Sequence, residues 1–171
     1  MQSSVRKSSV FTCLAAGGAL LVLSACTSMS APAGSVEKKE FTHTKWTGGL
    51  FSDAVTVTNL SDARMIFLAG AGSEDENGPR GTIRHKGDVY AQCKYAYDKI
   101  TRALAAHGAK MSDVVKVTAY VTDMDKRLDY IKCYAEAFQG QPLPAKTLLG
   151  VTRLAYPDML VEVDVTAIVR K

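Results

Sequence analysis

The chain has 171 residues, 47% of them hydrophobic, and a formal net charge of +4. The segment before Cys26 contains two basic residues and no Asp or Glu. Without this segment, the chain carries 19 basic and 17 acidic residues, a net charge of +2. This balance, without a stripe of Lys and Arg among aromatic residues, argues against a nucleic-acid-binding protein.

The first 25 residues have the pattern of a lipoprotein signal peptide. Arg6 and Lys7 precede an apolar run over residues 10–23, which is shorter than the roughly 20 residues of a membrane-spanning helix. The run ends in Leu-Ser-Ala-Cys, which resembles a lipobox whose last residue, Cys26, accepts a diacylglyceryl group. An ordinary secretory signal with an incidental Cys26 is the alternative.

This pattern predicts the location and the domain organisation of the protein. We expect residues 26–45 to comprise the lipidated cysteine and a flexible tether, and residues 46–171 to form one folded domain. The lipid would anchor the protein to the bacterial cell envelope without a span. Thr27, in place of an aspartate after the cysteine, favours the periplasmic side of the outer membrane.

The first half of the domain reads as two strands and a helix. Residues 54–60 alternate Val and Thr, and residues 65–69 form a buried strand after a short turn, which predicts a hairpin. Residues 70–81 form a glycine-rich acidic loop. Apolar residues at helical spacing predict a helix over 89–107 that begins after Asp88 and ends at Gly108.

The second half contains a strand, a helix and two strands. Alternation predicts a strand over 114–121, and a helix follows to Gln139 with Leu128, Ile131, Ala135 and Phe138 on its buried face. Strands over 143–152 and 159–169 end the domain. The order β-β-α-β-α-β-β predicts a two-layer α+β sandwich with both helices on one sheet face. The strands also read as apolar on the other face, which self-association would cover.

The two cysteines within the domain are predicted to stay unpaired. Cys93 lies on the apolar side of its helix, whereas Cys133 lies opposite the apolar side of the second helix. The oxidising compartment would allow a disulfide, but this placement argues against one.

Candidate chemistry lies on the last two strands. The sequence contains none of the common catalytic motifs, and its three histidines lack the spacing of metal ligands. Neither a metal nor a cofactor is therefore expected. Lys146 and Leu148 share one face of their strand, and Glu162 and Asp164 share one face of the next. If the two strands paired as a hairpin, a cation and two carboxylates would meet. From the residues alone, the alternative is a solvated charge pair at the sheet edge.

Several segments resemble the RidA (YjgF) family of reactive-intermediate deaminases. The run PAKTLLGVTRL at 144–154 and VEVD at 161–164 are similar to its C-terminal signature, and residues 67–70 and 100–121 resemble its second strand, first helix and third strand. The resemblance covers about residues 50–170. It implies a chorismate-mutase-like fold and a homotrimer with small-molecule sites between subunits. The implied activity is hydrolysis of 2-imino or enamine acids to 2-oxo acids and ammonia, without a cofactor.

The resemblance also implies the site residues. Glu162 takes the position of the family's glutamate, Gly70 and Leu148 take the positions of its backbone contacts, and Lys146 replaces the arginine that binds the substrate carboxylate. Lysine supplies a point charge instead of a planar fork. Three further site positions differ from the family residues, namely Phe51, Ala69 and Lys132. Two functions remain open: a hydrolase with a non-standard substrate, or a lipid-tethered trimer that binds a small carboxylate or serves as a scaffold without turnover.

Overall fold

The computed structural model describes residues 36–42, 49–52 and 54–170. The predicted signal peptide, Cys26 and most of the predicted tether lie outside these residues. Two helices and six strands form the described part. Their bounds are β1 Glu37–Phe41, β2 Ala54–Thr58, β3 Ala63–Ala71, α1 Val89–Ala106, β4 Val114–Val121, α2 Arg127–Ala137, β5 Ala145–Gly150 and β6 Val161–Arg170.

The predicted α+β class and the predicted element order are confirmed from β2 onward. Strand β1 is an addition, because it forms inside the segment predicted as a tether. It pairs antiparallel with β2, with Lys39 opposite Thr56. Lys38 ties β1 to the domain, since its ammonium group donates a hydrogen bond of 3.2 Å to the carbonyl of Val114.

The main sheet has the strand order β3-β6-β4-β5. Strand β6 runs antiparallel to both β3 and β4, whereas β5 runs parallel to β4. Both predicted hairpins were therefore wrong: β2 pairs with β1 instead of β3, and β4 lies between β5 and β6. Helix α2 carries the chain from β4 back to the start of β5, and a helical crossover of this kind places two strands parallel.

Helix α1 begins where the sequence predicts. The carboxylate of Asp88 accepts a hydrogen bond of 2.9 Å from the backbone N–H of Ala91, which caps the first turn. Within α1, the fully buried Gln92 side chain bonds to the carbonyl of Asp158 at 2.7 Å and to the N–H of Leu160 at 2.8 Å. These bonds fix the segment that leads into β6.

Helix α2 is rotated from its predicted orientation. Its buried residues are Tyr130, Cys133 and Tyr134, whereas Leu128 is 66% exposed. Phe138 is buried as predicted, and the tyrosine rings supply the apolar surface that the prediction assigned to Leu128 and Ala135. The rotation turns Cys133 toward α1.

A disulfide joins the two helices, so the prediction of unpaired cysteines was wrong. Cys93 of α1 and Cys133 of α2 are both fully buried, and they are bonded with their Cα atoms 6.2 Å apart. The error followed from the helix orientation, because a helix turned by its tyrosines presents Cys133 to its neighbour.

The sheet has one covered face and one open face. Val161, Val163 and Val165 of β6 are buried under the helices. The open face is less apolar than predicted, because its centre carries polar residues of β4 and β6. Its exposed apolar surface is concentrated on β3, where Met65 is 55% and Phe67 is 72% exposed. None of the helices in the described ranges is long and apolar enough to cross a membrane.

Candidate functional site

A small apolar cavity surrounds the end of Lys146. It is lined by Leu50, Phe51, Ile131, Lys146 and Leu148 and has a volume of about 230 Å³. The register explains how Lys146 reaches it. Lys146 is paired with the buried Val117 of β4, so its side chain points to the helix side of the sheet.

Aromatic rings enclose the ammonium group of Lys146. Its Nζ atom lies 4.3 Å from the ring centroid of Tyr134, and 5.4 Å from the ring centroids of Tyr130 and Phe51. Such contacts stabilise a cation through the electron-rich ring faces. The two tyrosines come from successive turns of α2, at positions i and i+4, so both rings point to the same side of the helix.

The loop that carries Phe51 is held against the edge strand β5. The N–H of Ser52 donates to the carbonyl of Pro144 at 3.2 Å, and the hydroxyl of Ser52 donates to the carbonyl of Leu143 at 3.0 Å. Ser52 is 2% exposed, which shields both bonds from water. They place Phe51 beside the cavity.

Burial lowers the pKa of the Lys146 ammonium group. Loss of hydration lowers its pKa from the usual 10.5 to about 8. Within the described part of the chain, no Asp or Glu forms an ion pair with it. The cavity therefore offers an entering anion a positive charge that has no Asp or Glu partner among the described residues.

A second polar centre surrounds Glu162 on β6. The Glu162 carboxylate covers the backbone of Gly70, since a Cβ added to that glycine would lie 1.9 Å from Oε1 of Glu162. Desolvation raises the pKa of Glu162, and the charges of Glu74 and Asp164 raise it further. The side chain is therefore biased toward holding a proton compared with an ordinary glutamate.

The two centres lie on opposite faces of the sheet. Glu162 is paired with Tyr120, whose hydroxyl bonds to Asp164 at 3.2 Å on the open face, while Lys146 lies under α2. The predicted meeting of Lys146 with Glu162 and Asp164 across a hairpin was wrong. Within one chain, the cation and the carboxylates are separated by the sheet.

Of the remaining predicted site residues, Leu148 and Ala69 lie at the two centres, whereas Lys132 does not. Leu148 lines the Lys146 cavity, and Ala69 is an exposed residue of β3 next to Gly70. Lys132 belongs to neither, because its ammonium group lies 4.8 Å from the ring centroid of Tyr90 on the outer side of α2. Arg153, a further cation near the signature, lines a different depression beside Tyr156.

Sequence reasoning missed Tyr130 and Tyr134, which form most of the aromatic enclosure. The hydroxyls of Tyr97 and Tyr130 share a hydrogen bond of 3.3 Å, whereas the buried hydroxyl of Tyr134 has no partner among the described residues. Their i, i+4 spacing was the available signal, but such a pair indicates a buried helix face more often than a site.

Comparisons with known proteins agree with this architecture. The family model described as Endoribonuclease L-PSP matches residues 47–169. A RutC family protein of Pyrococcus horikoshii is 33% identical over 119 residues, which cover 70% of this chain and 86% of that protein. The 2-iminobutanoate/2-iminopropanoate deaminase of Escherichia coli K12 is 29% identical over 85 residues, which cover 48% of this chain and 66% of the deaminase.

A solved structure shows the same fold. The YyfB protein of Yersinia pestis, a member of the Rid protein family of unknown function, superposes with a TM-score of 0.66 at 24% identity. The superposition covers 76% of this chain and 97% of that one. With the family model matching more than half of its residues, the chain belongs to the Endoribonuclease L-PSP family, which includes the RidA and YjgF proteins.

Proposed function

We propose that this protein hydrolyses small 2-imino or enamine acids to 2-oxo acids and ammonia, with Lys146 in the role of carboxylate-binding cation. The observation that carries the proposal is the charge of Lys146 in a small apolar cavity, where no Asp or Glu of the described residues pairs with it. A substrate with a carboxylate and a short apolar side chain matches both properties of the cavity. The similarity to the Escherichia coli deaminase supports the reaction type.

Each centre has a separate task in this reaction. Lys146 pairs with the substrate carboxylate, and Phe51, Ile131 and Leu148 contact the alkyl group. Glu162 takes a proton from a water molecule as that water attacks the C=N carbon, and passes a proton to the nitrogen. In the resulting aminoalcohol the hydroxyl proton moves to the amino group, the C–N bond breaks, and ammonia leaves as the C=O bond of the 2-oxo acid forms. A raised pKa suits Glu162 to both proton transfers, because it brings the acid closer to neutral pH.

A second copy of the chain would bring the two centres together. Members of this family are trimers that bind small molecules. We infer the same assembly for this chain, with the Lys146 cavity of one subunit facing Glu162 and Gly70 of the next. Exposed Met65 and Phe67 on the open sheet face support self-association, since apolar side chains of this size gain from burial in an interface.

The direct test is the hydrolysis of imines that are generated in situ. Full-length protein in detergent is added while an amino-acid oxidase produces 2-imino acids from Leu, Met or Ala, and formation of the 2-oxo acid is followed. We expect acceleration over the protein-free reaction, and loss of that acceleration in Glu162→Gln. Equal rates with and without folded protein for every imine would contradict the proposal.

The pH profile gives a second check. Binding of the substrate carboxylate requires charged Lys146, so kcat/KM for an imino acid should fall as the pH rises through about 8, the pKa of Lys146. A Lys146→Arg variant keeps its charge and should lack this fall. Matching profiles in the two proteins would show that the titration of Lys146 has no part in binding.

Replacing Gly70 with alanine should impair the reaction more than the fold. The added Cβ would occupy the position of the Glu162 carboxylate, and that flexible side chain would have to move away. We expect a loss of about 10-fold or more in kcat/KM and a melting temperature close to that of the parent. An alanine variant with full activity would show that the contact of Glu162 with Gly70 is dispensable.

The second candidate function is binding without turnover. Lysine in place of the family arginine favours it, because one ammonium group orients a carboxylate less strictly than a two-pronged guanidinium group does. Calorimetry with 2-oxo acids distinguishes the candidates when combined with the hydrolysis assay. Binding that depends on Lys146, with no imine consumed, would favour this function.

We also propose that Cys26 is lipidated and holds the protein at the cell envelope. The disulfide between Cys93 and Cys133 supports an exported location, since disulfides persist mainly in oxidising compartments. In a bacterial host fed an alkyne-tagged fatty acid, we expect label on the parent protein and none on Cys26→Ser. Unlabelled parent protein in the soluble fraction would contradict lipidation.

A further inference from the structure

We propose that Lys146 is also a carbonyl-capturing nucleophile, which forms a Schiff base with small aldehydes and 2-oxo acids that enter its cavity. This activity goes beyond the hydrolysis proposed above and does not depend on it, because it needs only the cavity of a single subunit. The lysine that replaces the family arginine introduces this chemistry, since an amine can attack a carbonyl carbon and a guanidinium group cannot.

The geometry of the cavity holds the amine for attack. Three rings lie within 5.4 Å of Nζ, and the backbone of Lys146 is fixed by its pairing with β4. The walls formed by Leu50, Phe51, Ile131 and Leu148 are apolar and enclose about 230 Å³, room for a carbonyl compound with a short side chain. A low-polarity cavity also favours Schiff base chemistry because it limits competing water.

The protonation state of Lys146 permits attack near neutral pH. With a pKa of about 8, roughly a tenth of the amine is neutral at pH 7, far more than in an exposed lysine. Among the described residues, the groups facing it are Phe51 and the phenols of Tyr130 and Tyr134. Burial raises the pKa of both phenols, and the charges of Tyr130 and Glu40 raise that of Tyr134 further, so both rings stay neutral.

The reaction balances without an oxidant or a reductant. The lone pair of Nζ forms a bond to the carbonyl carbon, and the C=O π pair moves to the oxygen, which takes a proton. Nitrogen loses one proton to give the carbinolamine. The hydroxyl group then takes a second proton and leaves as water while the nitrogen lone pair forms the C=N bond. Nitrogen loses its remaining proton, so that the amine and the carbonyl compound give an imine and one water. The buried hydroxyl of Tyr134, which has no partner among the described residues, is available as a donor to the carbinolamine oxygen.

Reductive trapping tests the proposal. Full-length protein in detergent is incubated at pH 7 with pyruvate or butanal and cyanoborohydride, which reduces the Schiff base to a stable secondary amine. Peptide mapping by mass spectrometry then locates the adduct. We expect Lys146 to be modified at least 10-fold faster than the exposed Lys94, and the rate at Lys146 to rise with pH and level off above pH 8.

Two variants keep the test independent of folding and of imine hydrolysis. Lys146→Arg should lose the fast adduct, whereas the matched control Lys94→Arg should keep it; circular dichroism checks that both are folded. Adducts spread over exposed lysines, with Lys146 no faster than Lys94, would overturn the proposal. The imine assay is a separate readout, because the adduct at Lys146 is measured without hydrolysis of any imine substrate.

Discussion

Replacing Lys146 with alanine is expected to lower kcat/KM for 2-imino acids by about 10- to 100-fold. A hydrogen bond between a charged group and a carboxylate contributes about 1.5–3 kcal/mol, which corresponds to that range. The cavity should keep its shape, because the rings of Tyr130 and Tyr134 belong to the buried core. The measurement is the rate of 2-oxo acid formation at several imine concentrations, with the variant and the parent compared at equal folded protein.

Lys146→Arg is the matched control for this prediction. Arginine keeps the positive charge and adds a two-pronged donor, so it should restore most of the activity lost in the alanine variant. An alanine variant as active as the parent would show that Lys146 has no part in the reaction. Equal losses in both variants would show that the charge is not what the substrate requires.

Removing the disulfide is expected to have the largest effect on stability. Cys93 and Cys133 are separated by 40 positions, and closing a loop of this length lowers the entropy of the unfolded chain by an amount worth about 4 kcal/mol. A double variant, Cys93→Ala with Cys133→Ala, should therefore lose about that much free energy of unfolding. Its melting temperature should fall by roughly 10–20 °C.

Urea denaturation of the double variant and the parent measures this difference. The reduced parent protein provides a control that needs no substitution. The parent is unfolded, reduced and refolded in reductant, so that it and the double variant both unfold without the crosslink. A double variant as stable as the oxidised parent would contradict the pairing of Cys93 with Cys133. Activity measured in the same variant shows whether the link also holds the rings of Tyr130 and Tyr134 in place.

The secondary structure could be predicted from local patterns because each element carries its own signal. The alternation of Val and Thr at residues 54–58 and the cap at Asp88 are contained in short segments, and the structure has a strand and a helix there. Strand pairing is different, because it depends on residues far apart in the chain. Treating neighbouring strands as hairpins failed for β5, which follows a helix and pairs parallel with β4.

The orientation of α2 could not be predicted by counting aliphatic residues. The aliphatic pattern predicts that Leu128 lies on the buried side, but Leu128 is exposed and the tyrosines form the packing surface. A tyrosine is apolar over its ring and polar only at its hydroxyl, so its burial is ambiguous in a sequence pattern. The same ambiguity concealed both the disulfide and the aromatic enclosure of Lys146.

The site residues came from the family resemblance, and the structure changes how they combine. Lys146, Leu148 and Phe51 are grouped at one cavity, while Gly70 and Glu162 are grouped on the opposite sheet face. A pattern along the chain cannot show this separation, because it follows from the strand register. Lys146 pairs with Val117 and Glu162 with Tyr120, which are three positions apart on β4 and so point to opposite faces. Lys132, assigned by position, points away from both groups.

A mixing experiment tests most directly whether subunits share one catalytic site. The Lys146→Ala and Glu162→Gln proteins are each expected to be strongly impaired. The proposed trimers, assembled from equal amounts of both, would contain some interfaces with an intact Lys146 on one side and an intact Glu162 on the other. Random assembly leaves about one interface in four intact, so the mixture should regain roughly a quarter of the parent rate. A mixture as inactive as its two components, despite verified subunit exchange, would contradict a shared site.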